Sequence, residues 1–517
     1  MTAVLTTTGV VRGTTTLTKR ADVDAFLGVP FAAAPVGPRR FMAPQPVEPW
    51  EGERDVKRYA PAAPQNPDPF MAAGGFWQPP TDESECLNLN VWTPRADGRA
   101  RPVLVWIHGG AYVSGSNSSG YNNGSELAAA LDVVVVSVNY RLGALGFLYL
   151  EHLLGEKFAM SSSAAMLDQI AALEWVRDNV AAFGGDPAKV TLFGESAGAA
   201  AVGTLLGTPR AQGLFSRAVM QSGTAERVRS IDESVAVTSQ FLAAAGLRDD
   251  EAEALSEMPT SEILAAQKIV MDQVSAQTIG LALPFQPTID GHVIDRVPLD
   301  AIRDGVGGTV DLLAGTNLNE ASFFTMMRPD APGVQQSNRE KLTTLYSERF
   351  GDNAAAASAS YQAALAEELG ERGDDAAELE SYLSDTLYRQ PTNRLLAARE
   401  SASANTYAYL FTWPSPLMDG ALGSCHALDV PFVFRQLDRI ESASLVGENP
   451  PVELSEWMSG AWVEFSRRGA PQSPALPDWP RYTTQDRRTM ILNTEAHVEA
   501  DPRKPLRTFW LEANDGE

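Results

Sequence analysis

Two nearly unbroken apolar runs limit what this chain can become. Val103-Leu-Val-Trp-Ile107 and Val133-Val-Val-Val-Ser-Val138 show no alternation of apolar and polar residues. A strand with one wet face alternates, whereas a strand apolar throughout is covered on both faces. Between the runs, Gly124–Leu131 reads as a helical connection. Further on, Leu167, Ile170, Leu173, Val176 and Val180 recur at helical spacing. Ser161–Ser163 stand before that stretch as cap candidates, and Gly184-Gly185 stops it. Val190–Phe193, an Ala-rich segment and Ala218-Val-Met220 continue the pattern, and Val310–Ala314 reads as a further strand. Thr406–Phe411 is expected to be the last core strand. Strand alternating with helix predicts an α/β protein. Its centre is a large, mostly parallel sheet with helices on both faces.

The remaining segments fit around that sheet. The first hundred residues read as short strands and turns, interrupted by prolines. The proline-rich stretch 61–80 reads as a surface loop, whose Phe70, Phe76 and Trp77 either line a cleft or pin the loop to the body. Segments of about 225–308 and 330–403 read as helical insertions that form a wall or lid, the second packed as solvated helices on the outside. The 517 residues exceed one small core. With no repeat and no linker visible, residues 1–517 are expected to form one domain. The net charge of −24 argues against nucleic acid and anionic membrane as partners. No apolar run approaches the ~18 residues of a membrane span, and the N-terminus lacks a basic start followed by an apolar core. The expected location is therefore cytoplasmic. Two cysteines, Cys86 and Cys425, make neither a disulfide framework nor a zinc cluster and are read as separate thiols.

Chemistry enters at Gly194-Glu-Ser196-Ala-Gly198, a G-x-S-x-G stretch set between a strand and an Ala-rich helix. A strand that turns at once into a helix strains its central residue and needs glycine two positions to either side. Such a turn exposes the Ser196 hydroxyl, which needs a base to act as a nucleophile. Of five histidines, only His108 and His426 follow strands, where ligands bind in open α/β sheets. His108-Gly109-Gly110-Ala111 has the small residues that let backbone N–H groups converge on an oxyanion, so His426 is the expected base. Glu320 follows the strand Val310–Ala314 and is the favoured carboxylate, with Asp290 and Asp429 behind it. Glu195 is set aside, since neighbours across a tight turn point apart.

These stretches together resemble the type-B carboxylesterases, the cholinesterase-like branch of the α/β-hydrolase fold, in their bacterial para-nitrobenzyl-esterase-like form. The likeness also runs through Phe26–Ala32, Glu85–Pro94, Asn139–Gly143, Phe183–Pro187, Gln221–Gly223, Gly315–Glu320 and Gly423–Phe434. It implies Ser196 as nucleophile, Glu320 as acid and His426 as base. It further implies oxyanion donors at the backbone N–H groups of Gly110, Ala111 and Ala197, with Ala111 replacing the third glycine of the commonest family pattern. The implied activity is hydrolysis of a small carboxylic ester through an acyl-enzyme, without metal or cofactor. An amide or carbamate hydrolase would use the same residues. A non-catalytic adhesion homologue would be expected to lack some of them. Cholinesterases pair the position of Cys86 with an upstream cysteine, which this chain lacks. Trp77 lies one position away from where they hold a quaternary ammonium.

Overall fold

The computed structural model describes residues 2–67, 78–327 and 336–514. The Phe70, Phe76 and Trp77 segment lies outside them. The strands in chain order are β1 (Ala3–Thr6), β2 (Gly9–Arg12), β3 (Thr14–Thr16), β4 (Val23–Pro30), β5 (Glu53–Asp55), β6 (Asn88–Thr93) and β7 (Arg101–Ile107). They continue with β8 (Val134–Val138), β9 (Gly185–Glu195), β10 (Arg217–Gln221), β11 (Asp311–Asn317), β12 (Thr406–Phe411), β13 (Arg488–Leu492) and β14 (His497–Ala500). β1, β2 and β5 make a small sheet, and the other eleven strands form one large sheet in the order β14-β13-β12-β11-β10-β9-β7-β8-β6-β4-β3. From β8 across to β13 every neighbouring pair is parallel. Antiparallel pairs finish both ends.

The apolar runs are explained by where their side chains go. Every residue of β7, β8 and β12 is buried. Successive strand residues point to opposite faces. Val103, Val105, Val134 and Val136 accordingly enter one core with Ile170 and Leu173 of the helix Ala164–Asn179. Leu104, Trp106, Val133 and Val135 enter the other core, with Phe434 and Trp462. Both faces are sealed, which removes the need for alternation.

Two expectations are corrected. Thr406–Phe411 is β12, but β13 and β14 extend the sheet beyond it. Ser161–Ser163 do not cap a helix through their side chains: they form a 3₁₀ turn, and the helix starts at Ala164 with no side-chain cap. Their hydroxyls are used elsewhere. Leu150 N donates to Ser161 Oγ (2.9 Å), and Ser163 Oγ donates to Asp290 Oδ2 (2.6 Å).

The helical stretches contain Ile231–Ala244, Thr260–Ser275 and Pro298–Arg303 before β11. After it come Asn338–Phe350, Ala354–Leu369, Asp375–Ser384 and Gln390–Ala398. The second group is more than a solvated layer. Its Tyr346, Tyr361 and Tyr382 pack with Trp510 of the helix Lys504–Asn514 into an aromatic core of its own. Asp385–Arg389 is a π-helical turn within this group. Such a turn re-aims the side chains it carries.

One buried ion pair ties the sheet to its helices. The Arg141 guanidinium meets Asp168 through Nε (2.8 Å) and Nη2 (2.7 Å), and neither side chain is more than 2% exposed. Removing one partner strands the other charge away from water. Asp168→Ala should therefore cost about 3–5 kcal/mol, read as a lower urea midpoint with an unchanged slope. A loss under about 1 kcal/mol, as for an exposed pair, would contradict this.

Candidate active site

β9 ends at Glu195 and the helix Ala197–Leu206 begins at Ala197, so Ser196 alone makes the turn. Its φ of 57° and ψ of −123° lie where L-residues rarely sit. The flanking glycines make the turn possible. A Cβ on Gly194 would lie 2.6 Å from the carbonyl carbon of Gly198, and one on Gly198 would lie 2.1 Å from the Ile107 oxygen. Ser196 N donates to the Gln221 carbonyl of β10 (3.0 Å), which fixes the turn to the sheet.

The loop after β7 reaches the same place because β7 pairs with β9. A Cβ on Gly109 would sit 3.1 Å from Cβ of Ser196 and 2.8 Å from the Glu195 carbonyl. Gly110 has φ 112° and Ala111 has φ 54°. Among the described residues, the N–H groups of Gly110, Ala111 and Ala197 have no protein acceptor. His108 stacks on Tyr140 at 4.5 Å, and its carbonyl accepts from the Tyr140 hydroxyl (2.8 Å). Burial pulls its imidazole down to about 4, so it stays neutral.

Glu320 and His426 arrive on two loops that run side by side, joined by a parallel bridge between Asn319 and Cys425. Glu320 Oε2 lies 2.7 Å from His426 Nδ1. The other oxygen, Oε1, accepts from Asn317 N at 2.7 Å. Both side chains are buried. With Nδ1–H donating to the carboxylate, Nε2 keeps a lone pair to accept a proton. The family model for carboxylesterases matches residues 1–510 of this chain.

The chain belongs to the carboxylesterase family.

It is thus a serine hydrolase of carboxylic esters. The para-nitrobenzyl esterase of Bacillus subtilis is 34% identical over 98% of this chain and 97% of its own length. The phenmedipham hydrolase of Pseudarthrobacter oxydans is 35% identical over 93% and 94%. A carboxylesterase crystal structure from Geobacillus stearothermophilus superposes with a TM-score of 0.85 at 35% identity, covering 99% of this chain and 100% of that one. The eleven-stranded sheet is that of the α/β-hydrolase fold.

This carboxylesterase differs from the sequence expectation at Glu195. Its Oε1 lies 3.1 Å from His426 Nε2, so two carboxylates bracket one imidazole. Glu195 is the last residue of β9, and its side chain leaves the sheet end between Gly109 and the ring. Residue order alone does not show this, because the direction depends on the left-handed turn that follows. Burial pushes the Glu195 carboxyl up to about 8, against the pull of His426. Burial pulls the His426 imidazole down, but Glu195 and Glu320 outweigh it and the net displacement is upward.

The other acids stand apart from Nδ1. Asp429 Oδ2 accepts from Gln221 Nε2 (2.9 Å) and from the Tyr409 hydroxyl (3.0 Å), and burial pushes the carboxyl up to about 6. Asp290 Oδ1 accepts from the backbone of His292, Val293 and Ile294, closing its own loop. Tyr388 and Phe324 wall the imidazole, with ring centroids 4.7 and 5.2 Å away. Both cysteines are buried free thiols. Among the described residues no helix is long and apolar enough to cross a membrane.

Proposed function

We propose that the ester is cleaved by Ser196, with His426 as its base and Glu320 as the carboxylate behind the base. The observation that carries this reading is the 2.7 Å contact between Glu320 Oε2 and His426 Nδ1. It stands at the sheet edge where Ser196 makes its strained turn. In the first half-reaction His426 Nε2 takes the Ser196 proton while Oγ bonds to the ester carbonyl carbon. The N–H groups of Gly110, Ala111 and Ala197 receive the negative oxygen. The tetrahedral species collapses, the alcohol leaves with the proton from Nε2, and an acyl-serine remains. Water repeats the sequence and releases the acid. Each step conserves protons within the site, so the reading includes no metal or cofactor.

The substrate class is a small carboxylic ester. The acid-rich surface supports a reading without nucleic acid or anionic membrane as partner. The two unpaired thiols support a cytoplasmic location, and the chain is read as one domain throughout.

The pH profile tests the base. His426 must be neutral to accept a proton, so kcat/KM should rise as pH increases through its titration. That limb should fall above the ordinary imidazole value of about 6.5, since the net displacement is upward. A profile flat from acid to alkaline pH would rule out a histidine base. A limb below the ordinary imidazole value would rule out this account of its position.

A further inference from the structure

Arg227 is a cation beside the reacting centre that the ester chemistry leaves unused. It lies in the irregular segment after β10, half-buried. Its guanidinium carbon sits 5.2 Å from the centroid of the Tyr388 ring, and Nη2 donates to the Leu387 carbonyl at 2.8 Å. Among the described residues it has no carboxylate partner. The adjacent Glu226 is already held by Arg394 through two bonds of 2.9 and 2.7 Å. An arginine offers five N–H donors in a rigid fork. Most of those on Arg227 are uncommitted.

Tyr388 joins Arg227 to the reacting centre. Its ring lies 4.7 Å from that of His426, and its buried hydroxyl interacts with Arg227. The cation therefore stands one aromatic ring away from the base. A guanidinium fork with free N–H groups matches a carboxylate.

We propose that Arg227 binds a carboxylate carried by the ester itself, so that the favoured substrates are half-esters or other esters with an anionic end. This rests on the reading of Ser196, Glu320 and His426 as the reacting groups. It gives this carboxylesterase a positive contact inside a protein whose net charge is −24.

Two matched pairs of esters test the inference. Mono-4-nitrophenyl adipate is compared with its terminal carboxamide, which places the charge on the acyl side. 4-Carboxyphenyl butyrate is compared with 4-carbamoylphenyl butyrate, which places it on the alcohol side. The wild-type enzyme should favour the anion in at least one pair. Arg227→Gln should lower that anion-to-amide ratio of kcat/KM roughly 10–100-fold, the span of a charge-assisted bond. The loss should appear mainly in KM, and Arg227→Lys should restore part of it. The inference is overturned if the wild-type enzyme prefers the amide in both pairs, a result that needs no variant to fold. It is also overturned if Arg227→Gln slows anion and amide equally, which would make Arg227 a strut for the π turn. If no ester of either kind is cleaved and a fluorophosphonate fails to label Ser196, the failure lies in the catalytic reading instead.

Discussion

Ser196→Ala should lower kcat for 4-nitrophenyl butyrate by roughly four to six orders of magnitude, the range found when a serine nucleophile is removed. The expected loss is large because the substitution removes only the attacking oxygen. Ser196 N still donates to Gln221 O, and Gly194 and Gly198 still allow the turn. Alanine at φ 57° and ψ −123° is no worse off than serine was. The variant should therefore fold, bind ester and keep its oxyanion donors, with residual turnover from those donors alone. Circular dichroism and thermal melting should match the wild type, while fluorophosphonate labelling disappears. A variant retaining a tenth or more of the original kcat would remove Ser196 from the mechanism.

Glu320→Gln is the second large effect, expected at roughly 10³–10⁴ in kcat. The precedent is a serine protease in which the carboxylate behind the histidine was replaced by its amide, at a cost of about 10⁴. The geometry here gives the same reason. Glu320 Oε1 already accepts from Asn317 N, and Oε2 holds His426 Nδ1 at 2.7 Å. A glutamine that keeps its oxygen on Asn317 N turns its NH₂ toward Nδ1. That donor needs an acceptor, so Nδ1 loses its proton and Nε2 gains it. The nitrogen that should accept from Ser196 becomes a donor. The imidazolium formed during attack also loses its counter-charge. Asp429→Asn should cost far less, because Asp429 meets Gln221 and Tyr409 rather than the ring. If Asp429→Asn proves the more damaging of the two, Glu320 is not the acid.

Much of the sheet was legible because burial on both faces leaves an unmistakable mark. β7 and β8 carry nearly unbroken apolar runs, β12 reads as an alternating strand, and the expected limits of the three differ from the observed ones by at most two residues. β13 and β14 were not read, because they lie at the sheet end and β14 alternates polar residues with a single valine. Ser161–Ser163 looked like caps because serine at a helix start usually is one. Leu150 and Asp290 took two of those hydroxyls instead, and neither is near in sequence. The aromatic core of Tyr346, Tyr361, Tyr382 and Trp510 was missed for a similar reason, since its parts are separated by β12 to β14.

The candidate site was legible where a backbone constraint writes itself into residue type. Gly194 and Gly198 face each other across the Ser196 turn, and Gly109 lies against Ser196, so larger residues are excluded there. Glu195 carried no such mark. Its carboxylate reaches Nε2 only because of the turn beside it. Arg227 and Tyr388 carried none either. An arginine in an irregular segment normally reads as surface, and the π turn that presents Tyr388 to His426 has no sequence signature.

The bridge between Asn319 and Cys425 has a consequence for biosynthesis. The loop bearing Glu320 cannot close against its partner until the segment around His426 has left the ribosome. At ~5–20 residues per second, synthesis from Ser196 to His426 takes on the order of ten seconds or more. Throughout that interval Ser196 is present on the nascent polypeptide without its proposed base. A fluorophosphonate probe applied to stalled translation products should remain silent until the stall point passes the His426 loop.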